Sequence, residues 1–356
     1  VNAGGSSNNQ GKGQRGYSFQ DDLTFYGWEG HTLKMGVKYK RVDLIATERN
    51  FSNPQFYYDL NMSTSNPYRV EFGRGVPGTS GGFTTSDNTQ LGLYVQDDWE
   101  VNDRLTLNYG VRWDYEGTPA YEDHVTPADL AANVRAYPNI QNAEYDIENY
   151  IANGSNRDAF KSAWQPRVGF SYDFSGDQRH VLFGGAGRAY DRNLFDNLQK
   201  EKQTTTYSSP YRVYFTDADG QCRNASGCVA WNPAYLQPGA LDALAATRAG
   251  TPEYYMLNND LQVPYSDQFS LGMRDTWTWG QNDWNSELTI SHIRSHDGIS
   301  VRLGNRRPDG SFYPPGASWG TPWGFDPPFG RIVLVDNMLE TRTNSLFAKL
   351  EKPYTS

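Results

Sequence analysis

Few residues in this chain are spaced for covalent or metal chemistry. His292 and His296 share one face of an extended stretch, and Asp297 follows them. Four residues of strand hold two such side chains ~13 Å apart at ~3.3 Å per residue, too far for a single ion. Asp217-Ala218-Asp219-Gly220 has the opening of an oxygen-rich calcium loop but not its later ligands or closing glutamate, so it reads as a turn. Gly184-Gly185-Ala186-Gly187 lacks the Lys-Ser/Thr pair of a phosphate loop. The five histidines are scattered, and no Ser/His/Asp or Cys/His set emerges. The chain is therefore read as a non-enzyme with no cofactor and no metal site. Cys222 and Cys228 are the only cysteines. Their spacing matches no common zinc site, and a local disulfide is expected in an oxidising compartment.

Recognition by stacking is what the residue types do favour. Tyr207, Tyr211, Tyr214, Trp231, Trp319, Trp323, Phe325 and Phe329 crowd the stretches between regular segments. Aromatic planes stack on sugars, peptide side chains or ring-bearing chelates, and exposed aromatics at this density mark a partner. Tyr211, Trp231, Trp319, Trp323 and Phe325 are the candidate ligand-binding residues. The alternative is that these loops pack on one another as a lid. A second set, Arg112, Asp114, Arg167, Arg188 and Arg274, falls with Asp173 on the polar sides of alternating segments. These charges either hold or guide something inside, or pair with each other along a wetted wall.

The elements that must position these residues are long, strictly alternating strands. In Leu105–Tyr115, Leu105, Leu107, Tyr109, Val111, Trp113 and Tyr115 fall on one side, and Thr106, Asn108, Gly110, Arg112 and Asp114 on the other. A period of two gives a ribbon with one dry and one wet face. Leu91–Trp99 repeats the pattern across a tight turn. So do Tyr17–Tyr26, His31–Ile45, Trp164–Phe174, Tyr265–Trp279 and Trp284–His296; His180–Tyr190 is glycine-rich and weaker, and Asn344–Glu351 is a short last strand. That makes about nine strands. Gln55–Tyr58, Tyr68–Phe72, Tyr211–Phe215 and Arg331–Val335 are extensions or loop hairpins. Strands of eleven residues exceed the ~5–6 of ordinary globular proteins and match the ~9–11 needed to cross a bilayer at a tilt.

Connections alternate between short and long. Gly27–Gly30, Val101–Asp103, Ser175–Arg179 and Gly280–Asp283 are turns, whereas 47–88, 117–163, 191–264 and 297–343 are long excursions. Outer-membrane barrels have this layout, with short periplasmic turns and long extracellular loops. Trp28, Trp99, Trp279 and Trp284 sit by the short turns; Tyr17, Tyr115, Trp164 and Tyr265 sit at the opposite ends, as two interfacial girdles would. Asp97 and Asp275 interrupt the apolar side near short turns, where a charge costs only ~0–1 kcal/mol. Within the excursions, Thr126-Pro127 is expected to open a short helix through Tyr137, and 239–250 a second helix. The stretch 305–330 reads as an ordered irregular loop.

Composition agrees. Aromatics make up 14% and there are 35 Gly and 19 Pro, as in a turn-rich all-β chain. The mean hydropathy of −0.74 excludes a helical membrane protein but not a barrel, whose apolar half is hidden by alternation. A net charge of −9 argues against nucleic acid as a partner. The first residues, VNAGGSSNNQGKGQRG, lack the apolar core of a signal peptide. The chain is thus expected to be a piece of a longer exported polypeptide.

LGLYVQDDWEVNDRLTLNYGVRWDYEGTP, WQPRVGFSYDFSGDQRHVLFGGAGRAYDRN, PYSDQFSLGMRDTW and NSELTISHIRSHDG together resemble barrel hairpins of TonB-dependent outer-membrane receptors, in the Oar-like branch. The resemblance spans about Leu91 to Gly298. It implies a transmembrane antiparallel β-barrel of about 22 strands around a plug, placed in the outer membrane of a Gram-negative bacterium and energised by the TonB complex. This chain shows no plug and ends in Lys352-Pro353-Tyr354-Thr355-Ser356 without a terminal aromatic strand. Residues 1–356 are therefore read as one barrel-domain fragment, with plug and remaining strands elsewhere. The expected partners are outer-membrane lipid, TonB through the absent plug, and an unknown small ligand, oligosaccharide or peptide. The rival readings are a structural or adhesive barrel whose loops bind a partner protein or surface polymer, a soluble all-β glycan-active enzyme, and an eight-stranded barrel.

Overall fold

A computed structural model describes residues 6–141, 143–192, 195–222, 227–247, 253–304 and 331–353. Its strands, in chain order, are β1 (Asn9–Phe25), β2 (His31–Arg49), β3 (Gln55–Tyr57), β4 (Arg69–Gly75), β5 (Phe83–Asn102), β6 (Leu105–Gly117), β7 (Ala163–Asp173), β8 (His180–Tyr190), β9 (Tyr207–Tyr214), β10 (Tyr254–Leu257), β11 (Tyr265–Trp279), β12 (Asn282–Leu303) and β13 (Ile332–Glu351). The large sheet runs β1-β2-β5-β6-β7-β8-β11-β12-β13-β10. Its nine long strands form an antiparallel meander, and β10 joins in parallel to the first residues of β13. These nine are the expected transmembrane strands. The sheet is open, with β1 at one edge.

Register fixes the two faces. Leu93 opposes Trp113, Val95 opposes Val111 and Trp99 opposes Leu107, while Tyr94 opposes Arg112, Gln96 opposes Gly110 and Asp98 opposes Asn108. A one-residue slip would exchange the faces, so the medium on each side holds the register. The apolar face has no core behind it: Val168, Leu288 and Leu346 are 56, 53 and 70% exposed. It is the face that meets lipid. Gly30 and Gly280, in two of the short turns, take positive φ, which lets so tight a reversal close.

Two charged belts frame the apolar band. Near the short turns, Asp97 is 2.7 Å from His31 and receives the Tyr109 hydroxyl at 2.7 Å, and Asp275 is 2.9 Å from His180. Near the long connections, Arg41 pairs with Asp87, Arg188 with Asp267, and Arg294 with Glu340. From Asp267 to Asp275 is roughly 27 Å along the strand at ~3.4 Å per residue. A tilt of ~35–45° turns this into a height of roughly 19–22 Å across the membrane, somewhat less than the ~25 Å band of outer-membrane barrels.

Several expectations are corrected. Arg188 does not share the face of Arg112. Arg167 of the polar face opposes Gly187, so Arg188 points with Tyr172, Leu182 and Asp267 to the lipid side. The glycines of β8 carry no apolar stripe from which its parity could be read. Asn344–Glu351 is not a short last strand: Arg331–Val335 proves to be its extension, the two lying in or beside one 20-residue strand. A bulge where Gly298 meets Leu339 breaks the alternation between the two parts. Thr126 does not cap its helix. The helix α2 (Ala128–Ala136; α1 is Pro119–Glu122) starts after Pro127, and the Thr126 hydroxyl accepts the Ala152 N–H instead.

Above the membrane the pattern of β2 inverts. Val42 and Ala46 lie on the side of Lys38 and Lys40 yet are buried. There the long connections cover the wall, with α3 (Pro138–Gln141), α4 (Phe195–Thr206) and α5 (Asp242–Thr247) among them. Helix α4 packs on β2, β5, β9 and β10. Strands β3, β4 and β9 form a separate three-stranded sheet that ties the 50–82 connection to the 191–264 connection. The dry cores all sit in this cap. One gathers Leu130, Val134, Tyr150, Met256 and Leu334; a second gathers Val70, Phe72, Val213, Phe215 and Leu244; a third gathers Tyr121, Leu198, Leu257 and Val335. The wall needs no core, because its apolar side is solvated by lipid. The loops face water and must supply their own.

Candidate functional site

The cap is locked by a buried ion pair. Arg157 lies in the run before β7, and Glu201 lies on α4. Arg157 donates to Glu201 Oε2 at 2.7 Å and Oε1 at 3.2 Å, to the Leu257 carbonyl at 2.7 Å, and to Asn259 Oδ1 at 2.9 Å. Its guanidinium also lies over the Tyr121 ring, 4.6 Å from the centroid. Glu201 accepts the Leu257 N–H as well. Two long connections are thus joined at one point, with the charges satisfied as burial demands. His124 Nε2 is 3.8 Å from Glu201 Oε2 and has no hydrogen-bond partner among the described residues. Burial holds the His124 imidazole below its ordinary pKa and pushes the Tyr121 phenol up to about 12. Both groups are therefore neutral.

A cavity of about 380 Å³ opens in the cap between the β3–β4 connection and the end of β9. Met62, Tyr68, Tyr214 and Phe215 form its apolar lining, and among the described residues Asp59 and Asp217 are its only charged ones. Each carboxylate has one oxygen committed to backbone N–H groups: Asp59 Oδ1 accepts from Asn61, and Asp217 Oδ1 from Asp219 and Gln221. Asp217-Ala218-Asp219-Gly220 is accordingly a turn at the cavity wall. Cys228, bonded to Cys222, closes the same wall.

Tyr211 and Trp231 are placed by packing. Tyr211 stacks on Phe72 at 5.4 Å, and Trp231 meets Phe215 edge-on at 4.9 Å. Both flank the second core. Trp319, Trp323, Phe325 and Phe329 lie outside the described residues. The cavity residues Asp59, Met62 and Tyr68 escaped the sequence reading, because a single aromatic between two turns carries no periodic signal.

On the polar face, Arg112 and Asp114 form a two-pronged pair at 2.6 and 2.7 Å. Arg274 lies over Phe183 at 5.7 Å. Asp173 accepts the backbone N–H groups of Ser175, Gly176 and Gln178, and so organises its turn. The Arg112–Asp114 pair, with Lys38, Lys40, Glu116 and Arg192, lines a recess directly beneath the cap. Gly184 and Gly185 leave room for neighbouring strands: a Cβ on either would come within 2.9 Å of a carbonyl oxygen. His292 bonds Asn344 and His296 stacks on Tyr265, so the two rings do not converge. No metal-binding group of His, Cys, Asp and Glu is found among the described residues.

The structure is similar to the outer membrane transporter YddB from Escherichia coli, with a TM-score of 0.52 and 15% identity over 96% of this chain and 31% of that one. The ferric enterobactin receptor PfeA of Pseudomonas aeruginosa, as its G324V mutant, aligns at 14% identity over 95% of this chain and 33% of that one, with a TM-score of 0.46. The chain thus spans about a third of the length of these proteins. No curated protein matches it. The model of the outer membrane beta barrel domain family matches residues 1–355. With lipid-facing and polar faces, short turns at one end and a cap at the other, the chain belongs to the outer membrane beta barrel domain family and is part of a Gram-negative outer-membrane β-barrel.

Proposed function

We propose that this chain is part of the wall and cap of a TonB-dependent receptor that captures a nutrient outside the cell and passes it through a plugged barrel. The observation that carries the reading is the stacking of a cavity-bearing cap over a polar recess. The cavity offers Tyr68 and Tyr214 to a ligand, and the separate recess on the polar face offers Lys38, Arg112 and Arg192. The described residues of the cavity include two carboxylates, which suit a small ligand, sugar or peptide rich in hydrogen-bond donors or carrying an amine. Further strands complete the wall, since open edges in hydrocarbon leave backbone groups unpaired at several kcal/mol each. The plug and its TonB contact belong to the rest of the protein.

The test is accumulation of candidate nutrients by cells with and without the full-length protein, in the presence and absence of TonB. Surface capture that survives loss of TonB, together with internal accumulation that does not, is the expected result. Accumulation indifferent to TonB would overturn the proposal.

One observation favours a second reading, an adhesive or structural barrel. Tyr58, Leu60 and Met62 are 38, 70 and 37% exposed in the β3–β4 connection, an apolar knuckle suited to a partner protein or surface polymer. That reading expects partner binding through this knuckle with no TonB-dependent accumulation.

A further inference from the structure

The outer belt differs from the inner one in composition. Near the short turns each lipid-side carboxylate meets a histidine, but across β8, β11, β12 and β13 the outer belt carries Arg188, Arg294 and Arg342 against Asp267 and Glu340. Arg188 grips Asp267 with both prongs at 2.8 and 3.0 Å, and Arg294 reaches Glu340 at 3.3 Å. His296 sits 3.8 Å from each carboxylate. Arg294 and Arg342 oppose each other directly across the β12–β13 ladder. Like charges in that position repel, and the Glu340 carboxylate on Arg294 offsets this only in part. The Nε of Arg294 is closed to solvent and has no hydrogen-bond partner among the described residues.

Below these cations the wall is hollowed. Strand β8 presents Gly184 and Ala186 to the lipid side, while its neighbours present Val168 and Phe170 on one flank and Phe269 and Leu271 on the other. The result is a groove of about 720 Å³, lined by Val168, Ala186, Phe269 and His292 and headed by Arg188, Asp267 and Arg294. It opens on the face that meets lipid, at the level of the outer head groups.

We propose that this groove binds a phosphorylated, acylated lipid of the outer leaflet, with its phosphate among Arg188, Arg294 and Arg342 and one acyl chain along Ala186 between Val168 and Phe269. The occupant is a lipid because the cations and the groove are continuous and lie on the lipid side. It is an anionic lipid because three guanidinium groups face two carboxylates. The proposal rests on membrane placement and not on the import reading.

The test uses the full-length protein, freed of native lipid and reconstituted in phosphatidylcholine nanodiscs. Native mass spectrometry follows binding of bisphosphorylated lipid A, its dephosphorylated form, and inorganic phosphate as a competitor. Bisphosphorylated lipid A is expected to bind roughly tenfold or more tightly than the dephosphorylated form. Combined R188Q, R294Q and R342Q is expected to erase that preference. Ala186→Phe, which fills the groove without touching a charge, is expected to weaken both lipids, so the proposal stays testable if the charge variant fails to assemble. Folding of each variant is read from its gel mobility before and after boiling. Equal binding of the two lipids, binding unchanged in both variants, or displacement of the lipid by inorganic phosphate would overturn the proposal.

Discussion

Arg157 and Glu201 are 44 residues apart in sequence, yet their side chains meet at 2.7 Å with 0 and 2% of their surfaces exposed. The pair joins the 118–162 connection to α4, and through Leu257 it reaches the strand that docks on β13. A contact of this kind contributes less as attraction than as constraint, because either partner left alone would be a buried, uncompensated charge.

Glu201→Gln is therefore expected to destabilise the cap by about 3–5 kcal/mol. The wall should be spared, since its ladders do not pass through this pair. Limited proteolysis should show new cuts within 118–162 and 191–264 while unboiled gel mobility stays that of the parent. Arg157→Met combined with Glu201→Leu should cost less than either change alone. Uncut loops in Glu201→Gln would refute the role of the pair.

Acid should loosen the same region. His124 has its pKa lowered chiefly by burial, with Glu201 opposing and Arg157 adding to the shift. A neutral buried histidine contributes stability that is fully present above its unfolded value of about 6.5 and is lost as pH falls through the lower folded value. Hydrogen exchange of α4 is expected to accelerate between pH 7.5 and 5, and His124→Phe should flatten the response. A flat profile in the parent would show that another group controls the cap.

Ser270 and Leu271 are adjacent on β11, midway between the belts, and point to opposite media. Leu271→Arg is expected to cost ~2–4 kcal/mol and to lower the assembled fraction in vesicles, because the charge meets hydrocarbon. Ser270→Arg, on the wetted side opposite Gly185 and Ser291, should assemble as the parent does. Equal assembly of the two would mean the faces are reversed.

Gly92 makes room for the Arg112–Asp114 pair. A Cβ there would collide with Arg112 Nη2 and fall 2.6 Å from Asp114 Oδ1. Gly92→Ala is expected to break the pair at a cost of about 0.5–3 kcal/mol, read as a drop in the urea midpoint in detergent. In an Arg112→Ser background the same change should cost much less, since contacting residues are not additive.

How much of this was legible depended on the medium. In β5, β6, β7 and β11, lipid on one side and water on the other impose a period of two, and residues such as Leu107 and Asn108 declare their faces without a partner in view. The nine strands, the short–long connections and the girdles follow from that period. The signal failed where the contrast faded. In β8, Gly184 through Gly187 gave no stripe, and Arg188 was assigned to the wrong side. Above the membrane, Val42 and Ala46 are buried where the cap covers the wall, so the pattern inverts and strand ends cannot be placed. Asp97 and Asp275 looked like isolated charges on an apolar side. Only register set His31 and His180 beside them.

Local sequence by itself determined the wall, because each strand reads its surroundings through its own side chains. Only the tertiary structure decided the cap. The Arg157–Glu201 pair, the sheet of β3, β4 and β9, and the Tyr68–Tyr214 cavity all join segments from different connections, and no periodicity within one segment can encode a contact with another.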